Sequence, residues 1–457
     1  RVFKPLALGK SGPAVAQRAD EKNLVVARIY NSSGQLEPLE VVSTHGAGGL
    51  SATAEDLCRF ADSFSTGGRH ILSPSAIAEM NKPQPAWFSG KLRQPSTDNG
   101  LGWDITGISR FKAQGIKVVG KAGDTQYHSM LLTAPDKRIS VAVVTAGPQS
   151  VAMEIANTVM ETYLAEKGYY VKAVKAVTPP RQAQPIPEDL AVYEGYYSTG
   201  TSLLRLELDM QGKTLDIYMV SGGQESKVAS AIFNDGYFYA QDAVYYLMSA
   251  DNRYYLVRFL DTYDLSVVMC QKIEPAAAPQ ELRVAVDGRQ WLRRNVKASD
   301  GNNLAATHII TSRSLGDKVA GYIDFFGVKK VESDIVARPA VSALRDLTEL
   351  RLFDKDGSTW AWVTGLIFMP ADEAEVLAGN EAKVSIGSEG YNEWLRLAKN
   401  AVLSFEMPAK GRVFVFDGSG KVLYDSVFDS GAVYAPAGSF IEMAANPGSS
   451  FKVIASH

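Results

Sequence analysis

The sequence predicts a multidomain protein of α+β and β type. In this prediction, an antiparallel sheet with packed helices is followed by two antiparallel β-barrel-like domains. The chain has 457 residues, which is more than one ordinary domain holds. Helical periodicity is concentrated in the first third, whereas short segments of period-two alternation dominate from Tyr193 onward. Proline-rich stretches separate these parts of the chain.

The proline-rich stretches set the predicted domain boundaries. The clearer linker covers residues 173–187, and a shorter one is Pro275–Pro279. We therefore expect an α+β domain at residues 1–172, a small lipocalin-like antiparallel barrel at 188–274, and a second β-rich domain at 280–457.

The first region alternates helical patterns with short strands. Thr53 and Asp56 have the spacing of a capped helix start. Strands are expected at residues 116–119, 129–133 and 139–144. A long helix should follow, capped by Ser150 and ending at Lys167. Its inner face should carry three apolar residues, Ile155, Val159 and Tyr163.

The other two regions are expected to consist mostly of strands, with one helical stretch at Glu393–Lys399. The barrel is rich in tyrosine, and two interpretations remain open. The tyrosines either line a cavity or take part in ordinary barrel packing, and we favour packing. The residues concerned are Tyr237, Tyr239, Tyr245, Tyr246, Tyr254 and Tyr255.

Composition excludes several classes of function. A net charge of −3 gives no reason to expect nucleic acid or an anionic membrane as a partner. The longest apolar runs have strand length, so no membrane-spanning helix is predicted. Cys58 and Cys270 are expected to be free thiols. The five histidines lack metal-ligand spacing, so neither a metal nor another cofactor is predicted.

One stretch, Val118–Thr125, organises the prediction of function. It places Lys121 at the end of a predicted strand, next to small residues. The ammonium group could then point into a groove, and the bare backbone would permit close approach by a ligand. Taken alone the triplet is a weak signal, because a surface lysine at a strand end would have the same pattern.

Further motifs occur in a fixed order around this lysine. They are Phe3-Lys4-Pro5-Leu6, Gly46–Leu57, Asn99-Gly100-Leu101-Gly102-Trp103 and Lys121-Ala122-Gly123. In this order they resemble the C-terminal half of the catalytic domain of serine β-lactamase-like hydrolases. That superfamily includes class C β-lactamases, penicillin-binding proteins, esterases and D-aminopeptidases. The resemblance covers about residues 1–167, and the glycine loop within Gly46–Leu57 is its most specific part.

The resemblance implies an enzyme that uses acyl transfer, in which a serine attacks a carbonyl group. Lys121 would contribute positive charge to the site. The backbone N–H of Asp124, after Gly123, would help to form the oxyanion hole. Ala122, Thr125, Tyr127 and His128 would line the substrate groove, although a structural histidine is the alternative for His128. The resemblance also implies a periplasmic or secreted protein.

The sequence departs from the superfamily pattern at its nucleophile. Only Ser109-Arg110-Phe111-Lys112 and Ser449-Ser450-Phe451-Lys452 have the Ser-x-x-Lys spacing, and neither lies at the expected place. A Tyr-x-Asn motif is absent from the sequence. We therefore expect the chain alone to be an incomplete enzyme, with the nucleophilic serine on a segment upstream of Arg1, such as an N-terminal fragment.

A second departure is Ala122, which stands where the superfamily usually has threonine. The missing hydroxyl and the nearby charge of Asp124 disfavour a substrate carboxylate and favour a free ammonium group. This points towards D-aminopeptidase-like or amidase-like chemistry. Two alternatives remain open: a catalytically inactive, penicillin-binding-protein-like binding or scaffold protein, and an esterase of the same fold. The β domains are expected to gate the groove, by analogy of fold alone.

Overall fold

A computed structural model describes residues 1–13, 26–37, 48–84, 99–171, 182–241, 243–260, 265–299, 308–341 and 348–457. The chain divides into two compact units. The first consists of Arg1–Ala27, Val42–Glu274 and Val341–Leu344. The second consists of Arg28–Val41, Pro275–Ala340 and Arg345–His457. Most of the predicted linker, up to residue 181, lies outside the described residues.

The first 171 residues contain five helices and seven short strands within the described ranges. The helices are α1 (Phe3–Leu6), α2 (Ala54–Asp62), α3 (Pro74–Met80), α4 (Ser109–Lys112) and α5 (Ala152–Glu166). The strands are β1 (Gly12–Pro13), β2 (Ile29–Tyr30), β3 (Leu36–Glu37), β4 (Leu50–Ser51), β5 (Val119–Asp124), β6 (Tyr127–Ala134) and β7 (Ile139–Ala146). Strands β5, β6 and β7 form an antiparallel sheet in that order, with β1–β4 and β2–β3 as separate pairs.

Helices cover both faces of this sheet. On one face, Val119 and Leu131 pack with Ala61 and Phe64 of the α2 region and with Trp103. On the other face, alternate residues of β6 and β7 pack against α5. The predicted helix start is confirmed at α2, where Thr53 Oγ1 accepts a hydrogen bond from the N–H of Asp56 at 3.2 Å.

Helix α5 has the predicted length but turns a different face to the sheet. Ile155, Val159 and Tyr163 are 42–45% exposed, so their prediction as the inner face is wrong. The stripe that packs against the sheet is Ala152, Ala156, Met160 and Leu164. Its alanines allow the helix backbone to approach the strands closely. The helix is preceded by Val151 without a side-chain cap, so the predicted Ser150 cap is also wrong.

Strand β5 begins later than predicted. Ile116 lies before the strand because its N–H donates to the carbonyl of Phe111 at 3.0 Å and closes the turn after α4. Strand pairing starts at Val119, opposite Thr133. Lys121 is therefore in the middle of a strand, and the expectation that it ends one is wrong.

Residues 195–272 form a closed eight-stranded barrel in the order β10-β11-β12-β13-β14-β15-β8-β9. The strands are β8 (Gly195–Ser198), β9 (Leu203–Asp209), β10 (Thr214–Ser221), β11 (Gln224–Asn234), β12 (Tyr237–Tyr239), β13 (Val244–Ala250), β14 (Arg253–Leu260) and β15 (Leu265–Lys272). One core cluster takes a residue from every strand, which places it inside the barrel. It includes Tyr197, Leu206, Ile217, Phe233, Phe238, Leu247, Leu256 and Cys270.

The barrel interior is filled mainly by aliphatic and phenylalanine side chains, not lined by tyrosines. Tyr246 and Tyr255 are fully buried in a separate cluster. They alternate along β13 and β14 with interior residues, so they face the outer side of the barrel. Tyr245 packs against the interior cluster. Ordinary packing is therefore the interpretation that the structure supports.

The remaining strands form three sheets. They are β16 (Gln290–Arg293), β17 (Ile309–Thr311), β18 (Arg313–Ser314), β19 (Tyr322–Asp324), β20 (Val328–Val331), β21 (Val336–Pro339), β22 (Leu350–Lys355), β23 (Ser358–Val363), β24 (Leu366–Pro370), β25 (Glu375–Leu377), β26 (Glu381–Ser385), β27 (Asn392–Leu397), β28 (Ala401–Glu406), β29 (Arg412–Phe416), β30 (Val422–Asp425), β31 (Val433–Ala435), β32 (Phe440–Ala444) and β33 (Ser450–Ser456).

The first of these sheets has the order β17-β16-β24-β23-β22-β21-β20-β19-β18 and folds around its own core. The other two, β25-β27-β32-β29-β30 and β26-β33-β28-β31, share one core and form a sandwich. Pairing is antiparallel except between β25 and β27. The predicted fold class, a helix-covered sheet followed by antiparallel β structure, is confirmed.

The helix predicted at Glu393–Lys399 is wrong, because these residues belong largely to strand β27. Trp394 faces one buried cluster, and Leu395 and Leu397 face another. Strand β27 also has partners on both edges, β25 and β32. Burial on both faces and pairing on both edges override a local helical preference.

The second unit buries a lysine within its nine-stranded sheet. Lys329 of β20 is fully buried, and its Nζ donates to the carbonyl of Phe326 at 2.8 Å. A longer contact of 3.5 Å reaches Thr348 Oγ1. Burial lowers the pKa of Lys329 to about 8, from an ordinary value of 10.5.

This burial predicts a pH-dependent stability. Between pH 8 and 10.5 the unfolded chain holds a proton on Lys329 that the folded chain has lost, so stability should rise with pH in that window. The total gain is roughly 3 kcal/mol. Lys329→Met should abolish this rise, measured by urea unfolding across the window. Lys330→Met, at the exposed neighbouring position, should keep it, and an unchanged profile in Lys329→Met would contradict the assignment.

Candidate functional site

The candidate site lies along the outer edge of β5, the edge that faces away from β6. At this edge the N–H of Gly120 donates to the carbonyl of Ile105 at 2.9 Å. The N–H of Ala122 donates to Asp104 Oδ2 at 3.0 Å. Alternate residues of a strand direct their N–H groups to the same side. The N–H of Asp124 therefore points to this edge as well.

The ammonium group of Lys121 is held at the same edge. Its Nζ lies 2.8 Å from Asp104 Oδ2 and also donates to the carbonyl of Ala122. The Lys121 side chain is 44% exposed, so the ammonium remains accessible to a ligand. The structure thus brings together Lys121, the backbone of Ala122 and the N–H of Asp124.

Asp104 is the residue that the sequence analysis missed. It follows Trp103, whose indole N–H donates to Asn81 Oδ1 at 2.9 Å and whose ring is buried. The N–H of Asp104 donates to the carbonyl of Gly120 at 2.9 Å. Its position directly after the Gly-Leu-Gly-Trp motif was the available signal, because a carboxylate fixed beside a strand is a natural partner for a lysine on that strand.

His128 does not lie with this group. It is buried on the other face of the sheet, opposite Asp124 in the β5–β6 register. Its Nδ1 contacts the Asp124 carboxylate, and its Nε2 lies 2.7 Å from the carbonyl of Gly147. Part of the charge of Asp124 is therefore engaged within the fold, and a substrate-binding role for His128 stays a prediction.

Thr125 and Tyr127 form the turn that joins β5 to β6. Thr125 Oγ1 accepts the N–H of Tyr127 at 3.1 Å. The Tyr127 hydroxyl donates to the carbonyl of Ala27 at 2.7 Å. Both side chains thus have bonding roles inside the fold. In the glycine loop, residues 46 and 47 lie outside the described residues, whereas Gly49 has a φ of 74° just before β4.

An apolar pocket of about 170 Å³ opens beside Lys121. Its walls come from α2, from the end of α3, from Trp103 and from β6. Lys121 and Ala122, which are exposed, and the half-buried Ser129 also line it. The lining residues are Leu57, Phe60, Phe64, Met80, Gly102, Trp103, Lys121, Ala122, Ser129 and Leu131.

The two Ser-x-x-Lys matches lie in different parts of the fold. Ser109–Lys112 is the short helix α4, whose Phe111 packs in the cluster under α5 on the opposite face of the sheet. Ser449 and Lys452 belong to the second unit, where Lys452 pairs with Glu381 at 2.9 Å. Ser109 therefore lies away from Lys121.

The two cysteines are poor alternative nucleophiles. Both are free, and burial raises the pKa of each thiol, that of Cys270 to about 12. Since the thiolate is the reactive form, neither is activated. Within the described ranges, no group of three or more His, Cys, Asp or Glu side chains could hold a metal ion. The same ranges contain no helix both long and apolar enough to span a bilayer.

Residues 1–165 match the family model described as Beta-lactamase. This part of the chain is similar to the β-lactamase family. The match includes β5 with Lys121, and it ends within helix α5. The match covers about a third of the chain, so the similarity is limited to this part and does not extend to the barrel or the second unit.

Solved structures give weaker likenesses. The octameric penicillin-binding protein homologue from Pyrococcus abyssi is 17% identical, with a TM-score of 0.30 and coverage of 59% of this chain and 58% of that one. A crystal structure of SurE is 18% identical, with a TM-score of 0.36 and 59% coverage of each chain. The crystal structure of SurE with D-Leu is 19% identical, with a TM-score of 0.36 and coverage of 59% of this chain and 60% of that one. The chain thus spans about three-fifths of these proteins, and TM-scores this low support no inference about substrate. No curated protein gives a significant match.

The glycines of β5 allow a test of how tightly the site is built. A Cβ on Gly120 would lie 2.7 Å from Leu132 Cδ2 and 3.0 Å from the carbonyl oxygen of Leu131. We expect Gly120→Ala to destabilise the chain by about 1–3 kcal/mol in urea unfolding. Gly123→Ala is the matched control, since its Cβ would meet only the rotatable hydroxyl of Ser129. Equal losses in the two variants would contradict this description of the strand.

Proposed function

We propose that the protein is a serine hydrolase that forms an acyl-enzyme on amide or peptide substrates. One observation carries the proposal. Within a β-lactamase-like domain, Lys121 Nζ and the N–H of Asp124 are presented at one strand edge, and Asp104 fixes the lysine. A cation and a fixed backbone donor at one edge suit a carbonyl group whose oxygen becomes negative during attack.

The nucleophile in this proposal is a serine on a segment outside the 457 residues. Its hydroxyl oxygen attacks the substrate carbonyl carbon, and its proton passes to a base on the same segment. The oxyanion accepts hydrogen bonds from the N–H of Asp124 and from the serine's own N–H. The leaving amine takes up the proton, and water then hydrolyses the ester. Each oxyanion donor typically contributes about 10²–10³ to kcat.

The charges around Lys121 suggest the substrate class. Asp104 already pairs with the ammonium at 2.8 Å, whereas the Asp124 carboxylate contacts His128 on the other face of the sheet. Ala122 offers no hydroxyl for a substrate carboxylate. We therefore propose a substrate with a free ammonium group, acted on by D-aminopeptidase-like or amidase-like chemistry. A periplasmic or secreted location is part of this proposal.

A second candidate is a catalytically inactive binding protein. The observation that favours it is the engagement of Lys121, whose ammonium contacts both Asp104 and the Ala122 carbonyl. A lysine held in this way could serve recognition without catalysis. An esterase of the same fold would instead cleave short acyl esters and leave amides intact.

Mass spectrometry of the native sample, after exposure to a serine-acylating fluorophosphonate, tests the hydrolase proposal. We expect a second polypeptide, or a longer form of this chain, to carry the label. Lys121→Met should slow labelling at least about tenfold, since it removes the cation beside the developing charge. Lys117→Met, just before β5, should label normally. Absence of label from every species would favour the binding-protein alternative.

Substrate class has its own test. A portion of the same species that has not been exposed to the probe should hydrolyse D-alanine amide faster than benzylpenicillin, because the latter presents a carboxylate to Asp104. Comparison of kcat/KM for the two substrates measures this preference. A higher value for benzylpenicillin would exclude the aminopeptidase-like proposal and leave the serine hydrolase intact.

A further inference from the structure

The pocket beside Lys121 has a chemistry that the proposed mechanism does not use. We infer that it is a specificity pocket, which takes a branched aliphatic or phenyl side chain of the substrate residue whose carbonyl reacts. This inference rests on the proposed function and names the substrate class more narrowly.

The walls of the pocket are mainly apolar, and Lys121 and Ser129 are the two polar side chains among its lining residues. Phe64, Trp103 and Leu131 are buried core residues that form part of the walls. Phe64 and Trp103 pack edge to face with ring centroids 5.1 Å apart, which keeps this wall rigid. A charged or strongly polar side chain would lose its hydration here without gaining a partner.

The pocket and the lysine share one face of the sheet. Lys121 lies directly opposite Leu131, and Gly123 lies opposite Ser129. Directly paired residues project to the same face. A substrate carbonyl at the edge of β5 therefore sits beside the pocket mouth, and the absence of a side chain at Gly123 leaves the path open.

The size of the pocket limits the side chain. Its volume of about 170 Å³ resembles that of an apolar protein cavity of about 150 Å³ known to bind benzene. One isobutyl or benzyl group therefore fits, whereas a methyl group would leave most of the walls uncovered. A difference of one methylene in such a pocket changes affinity about 10-fold or more.

Binding of amino-acid amides tests the inference without requiring catalysis. The amides of D-alanine, D-leucine and D-phenylalanine are titrated into the full chain by calorimetry, with the change in tryptophan fluorescence as a second signal. We expect the D-leucine and D-phenylalanine amides to bind at least about tenfold more tightly than the D-alanine amide. Equal affinities for all three would overturn the inference.

Two variants should change the relative affinities for the three amides in opposite directions. Leu57→Phe narrows the pocket and should shift the preference towards D-alanine amide. Phe60→Leu enlarges it and should favour D-phenylalanine amide over D-leucine amide by several-fold. Leu72→Phe is the same substitution at an exposed leucine outside the pocket lining, and it should leave the order of the affinities for the three amides unaltered. A uniform loss in both pocket variants would show a structural effect and refute a specificity role.

The outcomes separate this inference from the proposed function. Side-chain preference in binding, without hydrolysis of any amide by the unlabelled protein, would retain the pocket and reject the hydrolase. Hydrolysis of the three amides at equal rates, whatever their side chain, would support the hydrolase and exclude the specificity pocket.

Discussion

The double contact of Asp104 with β5 is the interaction on which the candidate site depends. One carboxylate oxygen accepts from Lys121 Nζ at 2.8 Å and from the N–H of Ala122 at 3.0 Å. The backbone of Asp104 is bonded to Gly120 as well. The lysine, the strand edge and the segment after Trp103 are thus fixed by a single residue. Because the pair is partly exposed, its contribution to stability is modest, and its main effect is to position the ammonium group.

Local chemistry in the sequence was enough to locate the elements around this site. Thr53 and Asp56 marked the start of α2, and the order of the glycine-rich motifs marked the domain. Asp104 was missed because a single acidic residue has no periodicity. Its role depends on the isolated β-bridge between Ile105 and Gly120, which brings Asp104 beside β5. The position of His128 was equally hidden, since only the β5–β6 register shows which face it occupies.

The errors in the fold have one common physical origin. Residues 393–399 and the face of α5 were assigned from local patterns, yet both are decided by what packs against them. Trp394 has buried neighbours on its side of β27, and the alanines of α5 allow an approach to the sheet that Ile155 and Val159 would prevent. Burial by distant elements outweighs propensity where the two disagree.

The order of the three-stranded sheet has a practical consequence. Within the described residues, β7 is its last strand, and its sequence Ile-Ser-Val-Ala-Val-Val-Thr-Ala contains no charged residue. Val144 on this strand is 46% exposed, and it lies on the sheet face opposite to the one that packs against α5. Natural sheets protect such edges with charge, proline or a covering element. The exposed edge of β7 therefore favours association between separate molecules of the chain. The protein should be handled at low concentration and at a pH away from its isoelectric point.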